Sequence, residues 1–232
     1  MKFNQLIQKS RRRLLHLRLQ PIRVFCFHQV SDKFDPVSMW ECDWMSTDAF
    51  KSKINKLRKQ YKFITIEEAV EHLKRDKLRI SKYAVLTADD GMKSLMNVIP
   101  WLVAQQIPLV LFVNGKFVDG LSYRITPNEQ YLTNEDICEL LGKYNSFLTI
   151  QSHGWEHKDG LKITNEEFEE QLLKDISFWK EQFGIVPTFF AFPFGHSTKS
   201  EYKIVKSSHL IGVMMDGKKN VKFDRIIHRE LL

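Results

Sequence analysis

Two adjacent carboxylates, Asp89 and Asp90, end the apolar run Tyr83-Ala84-Val85-Leu86-Thr87-Ala88 and are followed by Gly91. Packing needs no acid there. Neighbouring side chains at a strand end can face different partners, so one carboxylate could hold a metal while the other moves a proton. Read alone, Asp-Gly is equally a common turn pair. Farther along, Ser152-His153-Gly154-Trp155-Glu156-His157 carries two imidazoles four residues apart, which a helix would set on one face. His28 ends a third apolar stretch, and Pro193-Phe194-Gly195-His196 follows a fourth. Singly, each has a plain reading: a satisfied buried histidine, a chance spacing, a turn. Together, two histidines and one carboxylate make three protein ligands with open positions, the donor set of a catalytic zinc-type site. A second carboxylate beside it supplies a base.

Such residues need a scaffold that gathers strand ends. Apolar runs predict strands at 22–28, 83–88, 109–113, 147–151, 188–192, 210–214 and 225–228. Between them, amphipathic patterns predict helices at 47–60, 66–74, 92–105, 133–143, 164–183 and 199–207, with a loop at 114–128. Thr164-Asn165-Glu166-Glu167 has the spacing of a capping box, and Gly184 is placed to close the helix it opens. This alternation predicts an α/β fold with a parallel sheet and outer helices. Six or seven units point to an irregular (β/α)7-type barrel. In a parallel barrel all C-terminal strand ends share one rim, where active sites sit.

The chain of 232 residues is long enough for one sizeable core, read as a single domain over 21–232 after a basic arm at 1–20. Residues 1–31 hold Lys2, Lys9, Arg11, Arg12, Arg13, Arg18 and Arg23 and no acid. These are seven of the 35 Lys and Arg, leaving 28 to balance the 28 Asp and Glu, so residues 1–31 carry the whole net charge of +7. Phe3, Leu6, Ile7, Leu14 and Leu17 fall on one helical face. That pattern suits a helix lying on an anionic membrane surface, or one packed on the domain with its charges solvated. No nucleic-acid recognition motif accompanies the charge, so no nucleic-acid partner is expected. No run has the form of a signal peptide or a membrane span. Cys26, Cys42 and Cys138 are odd in number and show no paired spacing, which excludes a disulfide scaffold. A cytoplasmic protein is expected, with the arm at the inner membrane face.

Thr-Ala-Asp-Asp-Gly at 87–91, His-Gly-Trp-Glu-His at 153–157 and Phe-Ala-Phe-Pro-Phe-Gly at 190–195 resemble, in order and spacing, the main motifs of the polysaccharide deacetylases (carbohydrate esterase family four, NodB-like). The resemblance covers about residues 20–232. Val-Phe-Cys-Phe-His-Gln-Val at 24–30 resembles the first strand of the circularly permuted subgroup that includes the poly-N-acetylglucosamine deacetylases. It implies a metal-dependent hydrolase that removes N-acetyl groups from a carbohydrate substrate and releases acetate. One divalent metal is implied, zinc first, with cobalt, nickel or manganese as alternatives. By the same resemblance Asp89 is the base, His28 the acid, and Asp90, His153 and His157 the metal ligands. His228 is the other candidate acid, since unpermuted members place it near the C-terminus. The turn at Pro193 would present the Phe194 N–H to the oxyanion, and Trp155, with Trp40 and Trp44, offers a face for a sugar ring. Where many members carry an arginine that holds the base, this chain has Ala191. Removal of an O-acetyl or other acyl group, or non-catalytic carbohydrate binding on the same fold, would fit the same motifs.

Overall fold

The computed structural model describes residues 20–33, 44–75, 81–118 and 131–232. Strand β1 (Arg23–Phe27) is followed by the two-residue strands β2 (Gln29–Val30) and β3 (Trp44–Met45), then α1 (Thr47–Arg58), β4 (Lys62–Phe63), α2 (Ile66–Lys74) and β5 (Tyr83–Ala88). Next come α3 (Ile99–Ala104), β6 (Leu109–Val113), α4 (Gly115–Val118), α5 (Asn134–Tyr144), β7 (Leu148–Ser152) and α6 (Asn165–Phe183). The chain ends with β8 (Phe189–Ala191), α7 (Lys199–Ser207), β9 (Ile211–Met214), β10 (Ile226–His228) and β11 (Glu230–Leu231).

The main sheet runs β10-β9-β8-β7-β6-β5-β1-β11, with β4 joined to β5 as a branch, and its strands pair in parallel. The expected α/β architecture is therefore present. β10 and β11 stand at opposite ends of this order, yet Arg229 alone separates them in the chain. Ile226–His228 runs beside β9 and Glu230–Leu231 beside β1, so the last few residues join the sheet's two edges.

Alternation along the strands sorts the core. Val24, Val85, Val110, Phe112, Phe189, Ala191, Val213 and Ile227 pack in one cluster with Ile66, Ala69, Val70 and Leu73 of α2. Phe25, Phe27, Leu86, Leu109, Leu111 and Ile150 face the other way, with Phe50, Leu102, Ile137, Leu140 and Trp179 from the helices. Both faces are covered, so the strands read as continuous apolar runs rather than as an alternating pattern.

Local features depart from the expected ones, beginning with α4, which makes residues 115–118 of the expected loop helical. The helix expected over 92–105 is a 3-10 turn at Lys93–Asn97 followed by α3, broken at Val98. Pro100 is the cause: inside a continuous helix its ring would meet the Met96 carbonyl, whereas the first turn of a new helix accepts it. Thr164 caps α6 by accepting from the Glu167 N–H, and Gly184 closes it at φ 66°. The Glu167 carboxylate, however, pairs with Lys158 at 2.5 Å rather than reaching back to the cap. The final strand extends beyond His228 to include β11. Residues 1–19 of the basic arm, with its apolar face, lie outside the described residues, as do Trp40 and Cys42. Among the described residues no helix is long and apolar enough to cross a membrane.

Candidate metal and base site at the strand ends

Val85, Thr87 and Asp89 share one face of β5 and its extension. The Asp89 N–H donates to the Phe27 carbonyl at 3.1 Å, which keeps the chain extended one residue past the strand. Asp89 is 3% exposed, and Arg229 is 1% exposed. Arg229 grips both carboxylate oxygens, Nη1 to Oδ1 at 2.6 Å and Nη2 to Oδ2 at 2.7 Å. Its Nη1 also donates to Thr87 Oγ1 at 3.2 Å, and its guanidinium lies 5.3 Å from the Phe112 ring centre. Burial alone would push the Asp89 pKa up, but Arg229, then His153, outweigh it and hold it below the usual carboxylate value. Asp89 is thus an ionised carboxylate fixed in a bidentate clamp.

Asp90 turns away from this clamp. Its φ is 67° and that of Gly91 is 70°, so the chain leaves β5 through two left-handed residues. His153 and His157 come from a loop after β7, with Gly154 at φ 79° and His157 at φ 53°. The four-residue spacing therefore works through a turn, and no helix sets the pair on one face. The His153 Nδ1 lies 2.8 Å from the Ala191 carbonyl. Donation there fixes the tautomer that leaves Nε2 bare towards Asp90.

The Nε2 atoms of His153 and His157 each lie 3.3 Å from Asp90 Oδ1. Ligand atoms held at about 2.0–2.1 Å from a tetrahedral zinc stand about 3.3 Å from one another. Asp90 is 2% exposed, and neither of its oxygens accepts a hydrogen bond of good geometry. A buried carboxylate with no donors is costly unless something else neutralises it. The donor set and its orphaned oxygens fit a divalent ion. Cys26, His28 and Asp89 also bring ligand atoms within 4.8 Å of one another. That group suits a metal less well: Arg229 occupies both Asp89 oxygens, and burial pushes the Cys26 thiol well above its usual pKa.

A cavity of about 230 Å³ opens over these residues, lined by His28, Asp89, His153, His157, Phe194, Gly195, Met215, Arg229 and Leu231. Phe194 follows β8 in a tight turn at φ 60° and lays its ring 4.8 Å from that of His157. Gly195, at φ 75°, lets the backbone close on Met215, where an added Cβ would stand 2.3 Å from Met215 Cβ. Among the described residues six non-glycines have positive φ, and Asp90, His157 and Phe194 are three of them. Half of these strained positions thus fall at this one place, as strain often does where side chains must be aimed.

Of the residues singled out in the sequence, Asp89, Asp90, His153, His157, His28 and Phe194 converge here. Trp155 and Pro193 do not line this cavity; they line a small separate one with Phe168 and Phe190. Trp155 packs edge-on against Phe178 at 5.4 Å, with Lys174 4.7 Å from its ring centre. His228 also points elsewhere, its Nδ1 2.9 Å and 3.0 Å from the two Asp216 oxygens. Arg229, Met215 and Leu231 also line the cavity, and no motif in the sequence singles them out. The signal for Arg229 lay in Ile-Ile-His-Arg, where the residue after His228 takes the opposite face.

The polysaccharide deacetylase family model matches residues 77–211, more than half of the chain. Among solved structures, IcaB from Ammonifex degensii superposes with a TM-score of 0.77 at 22% identity, covering 93% of this chain and 93% of that one. The deacetylase PplD of Streptococcus pyogenes, solved in complex with acetate, gives 0.76 at 18% identity, over 91% and 92% of the two chains. The de-N-acetylase of Aggregatibacter actinomycetemcomitans gives 0.74 at 18% identity, over 92% and 95%. These structures share the fold. No curated protein matches the sequence.

Proposed function

The chain belongs to the polysaccharide deacetylase family, a class of hydrolases, and from that premise we propose that it removes N-acetyl groups from an amino sugar of a poly- or oligosaccharide or glycan precursor. One observation carries this reading. Asp90, His153 and His157 form a buried ligand set beside an ionised Asp89; the Asp90 oxygens accept no hydrogen bond of good geometry, and both histidines line a cavity of about 230 Å³. A divalent ion held by these three residues would supply Lewis acidity to the amide oxygen and acidify a water molecule. The two-nitrogen, one-oxygen donor set suits zinc first, with cobalt, nickel or manganese as alternatives.

The remaining work falls to the chain itself. Asp89, kept ionised by Arg229, takes a proton as the water oxygen bonds to the amide carbon. Its Arg229 clamp leaves further lone pairs on the carboxylate for that proton. The left-handed turn at Phe194 offers a backbone N–H to the oxyanion. As the carbon–nitrogen bond breaks, His28 gives a proton to the departing nitrogen, so the products are acetate and a free amino sugar. Its position supports His28 in this role: it lines the cavity within 4.8 Å of Asp89, while His228 is engaged by Asp216. Phe194, 46% exposed at the cavity mouth, offers an apolar ring to the sugar. The basic arm would hold such an enzyme at an anionic membrane face.

The test is acetate release from N-acetylated glucosamine oligomers, measured with the wild-type protein and Asp89→Asn after zinc loading. Acetate from the wild type and none from a zinc-replete Asp89→Asn is the expected result. Equal rates would overturn the assignment of the base, and no acetate from either on any N-acetylated glycan would overturn the reading.

A further inference from the structure

Behind the two histidines lies a carboxylate that this chemistry leaves unused. Asp175 projects from α6 towards the sheet and is 0% exposed. It forms no ion pair among the described residues. Three neutral donors converge on it instead. The Gly115 N–H reaches Oδ1 at 2.8 Å, the Ser152 hydroxyl reaches Oδ2 at 2.6 Å, and the Trp179 indole N–H reaches Oδ2 at 3.1 Å. Burial pushes its pKa up to about 7 in spite of these donors. A buried carboxylate without a cation is an expensive way to fill space, which points to what it connects.

Its partners lie on the two segments that carry the histidine loop. Ser152 is the last residue of β7 and directly precedes His153. Gly115 opens α4 and directly follows Asn114, whose side-chain amide donates to the His153 carbonyl at 2.7 Å and the Gly154 carbonyl at 2.9 Å. The His153 N–H donates to the Val113 carbonyl at 3.2 Å, and the Lys116 N–H to the Trp155 carbonyl at 3.2 Å. Residues 113–116 are thus laced to residues 153–155, and Asp175 ties the two strands of the lacing together from behind. The fit leaves no slack: a Cβ at Gly115 would stand 2.8 Å from Asp175 Oδ1 and 2.9 Å from the Trp155 ring.

We infer that Asn114 and Asp175 are positioning residues that hold the backbone of residues 152–155, so that His153 and His157 meet Asp90, and that they thereby set the metal affinity of the site. Neither belongs to the ligand set or lines the cavity. The inference rests on the metal-site reading above.

The experiment titrates Co²⁺, whose visible absorption reports coordination geometry, into the metal-stripped full-length protein. Wild type is compared with Asp175→Asn, Asn114→Ala, Ser152→Ala and, as a surface control on α6, Glu170→Gln. Melting temperatures of the metal-free proteins are recorded alongside. Loss of a partner that orients metal ligands lowers affinity roughly 10–100-fold. That loss is expected for Asn114→Ala and Asp175→Asn, and in smaller degree for Ser152→Ala, with a changed cobalt spectrum and no change in Glu170→Gln. A purely structural role would lower the metal-free melting temperature and leave affinity and spectrum as in the wild type. If Asp175→Asn does not fold, Asn114→Ala and Ser152→Ala decide. Wild-type affinity and spectrum in both would overturn the inference alone, whereas no cobalt binding by the wild type would overturn the metal reading and this inference with it.

Discussion

Replacing Arg229 by glutamine should change both how the protein titrates and how it melts. In the wild type, Asp89 is buried and gripped at 2.6 Å and 2.7 Å by one guanidinium. Removing one partner of such a pair costs about 3–5 kcal/mol, because a charge is left buried and uncompensated. Asp89 can escape that cost only by taking a proton. At about 1.4 kcal/mol per pH unit, its titration should move upward by about 2–4 pH units. The sign of the stability effect reverses with it. In the wild type the Asp89 pKa is lowered, so the pair stabilises above the unfolded value of the carboxylate and the contribution is lost as pH falls through the folded value. In Arg229→Gln the pKa is raised, so the variant is least penalised at low pH and loses stability as pH rises. The assays are the pH dependence of kcat/KM for acetate release at saturating zinc, and thermal melts over the same pH range. The acid limb should move up by about two pH units or more, and the deficit in Tm against wild type should widen towards alkaline pH. Adding Asp89→Asn to Arg229→Gln should recover much of the lost stability, since both charges are then gone. An acid limb that superimposes on the wild type, with a deficit in Tm that does not depend on pH, would refute the clamp.

Other substitutions separate the remaining roles. His28→Ala should lower kcat by about 10²–10⁴, while His228→Ala stays within a few-fold of wild type; the reverse ranking in steady-state assays would move the acid to His228. Gly195→Ala forces a Cβ to within 2.3 Å of Met215 Cβ at φ 75°, so a loss of about 1–3 kcal/mol in stability and a fall in kcat are expected, and an unchanged melt would show that the turn yields freely. Deleting residues 1–19 should abolish sedimentation with anionic vesicles and spare acetate release from a soluble oligosaccharide; if the intact protein stays free of the vesicles at physiological salt, the arm has no such role.

The parts of the site that chemistry marks by residue type were legible in the sequence. Asp89, Asp90, His153 and His157 stand out because strand ends have no packing use for them, and the alternation of apolar runs with amphipathic helices implied a rim on which they meet. What could not be read is what depends on chain closure. Arg229 clamps a residue 140 positions away, and no local pattern reports that the last strand splits between β9 and β1 to put it there. Ala191 made the base look unsupported, yet the guanidinium reaches it from the opposite side of the sheet order. Trp155 shows the converse case. An aromatic inside a functional motif suggests contact with the sugar, but the turn that aims His153 and His157 sends Trp155 against Phe178 on α6. The histidine spacing implied a helix only because helices are the common way to align such a pair; left-handed Gly154 and His157 do it here.

Where a metal binds decides the chemistry of this site. Crystals of zinc-loaded protein, with diffraction recorded on both sides of the zinc edge, should show one anomalous peak at about 2.0–2.2 Å from an Asp90 oxygen and the Nε2 atoms of His153 and His157, with Arg229 still on Asp89. A peak at Cys26 and His28, or full zinc occupancy elsewhere with Asp90 uncoordinated, would contradict it.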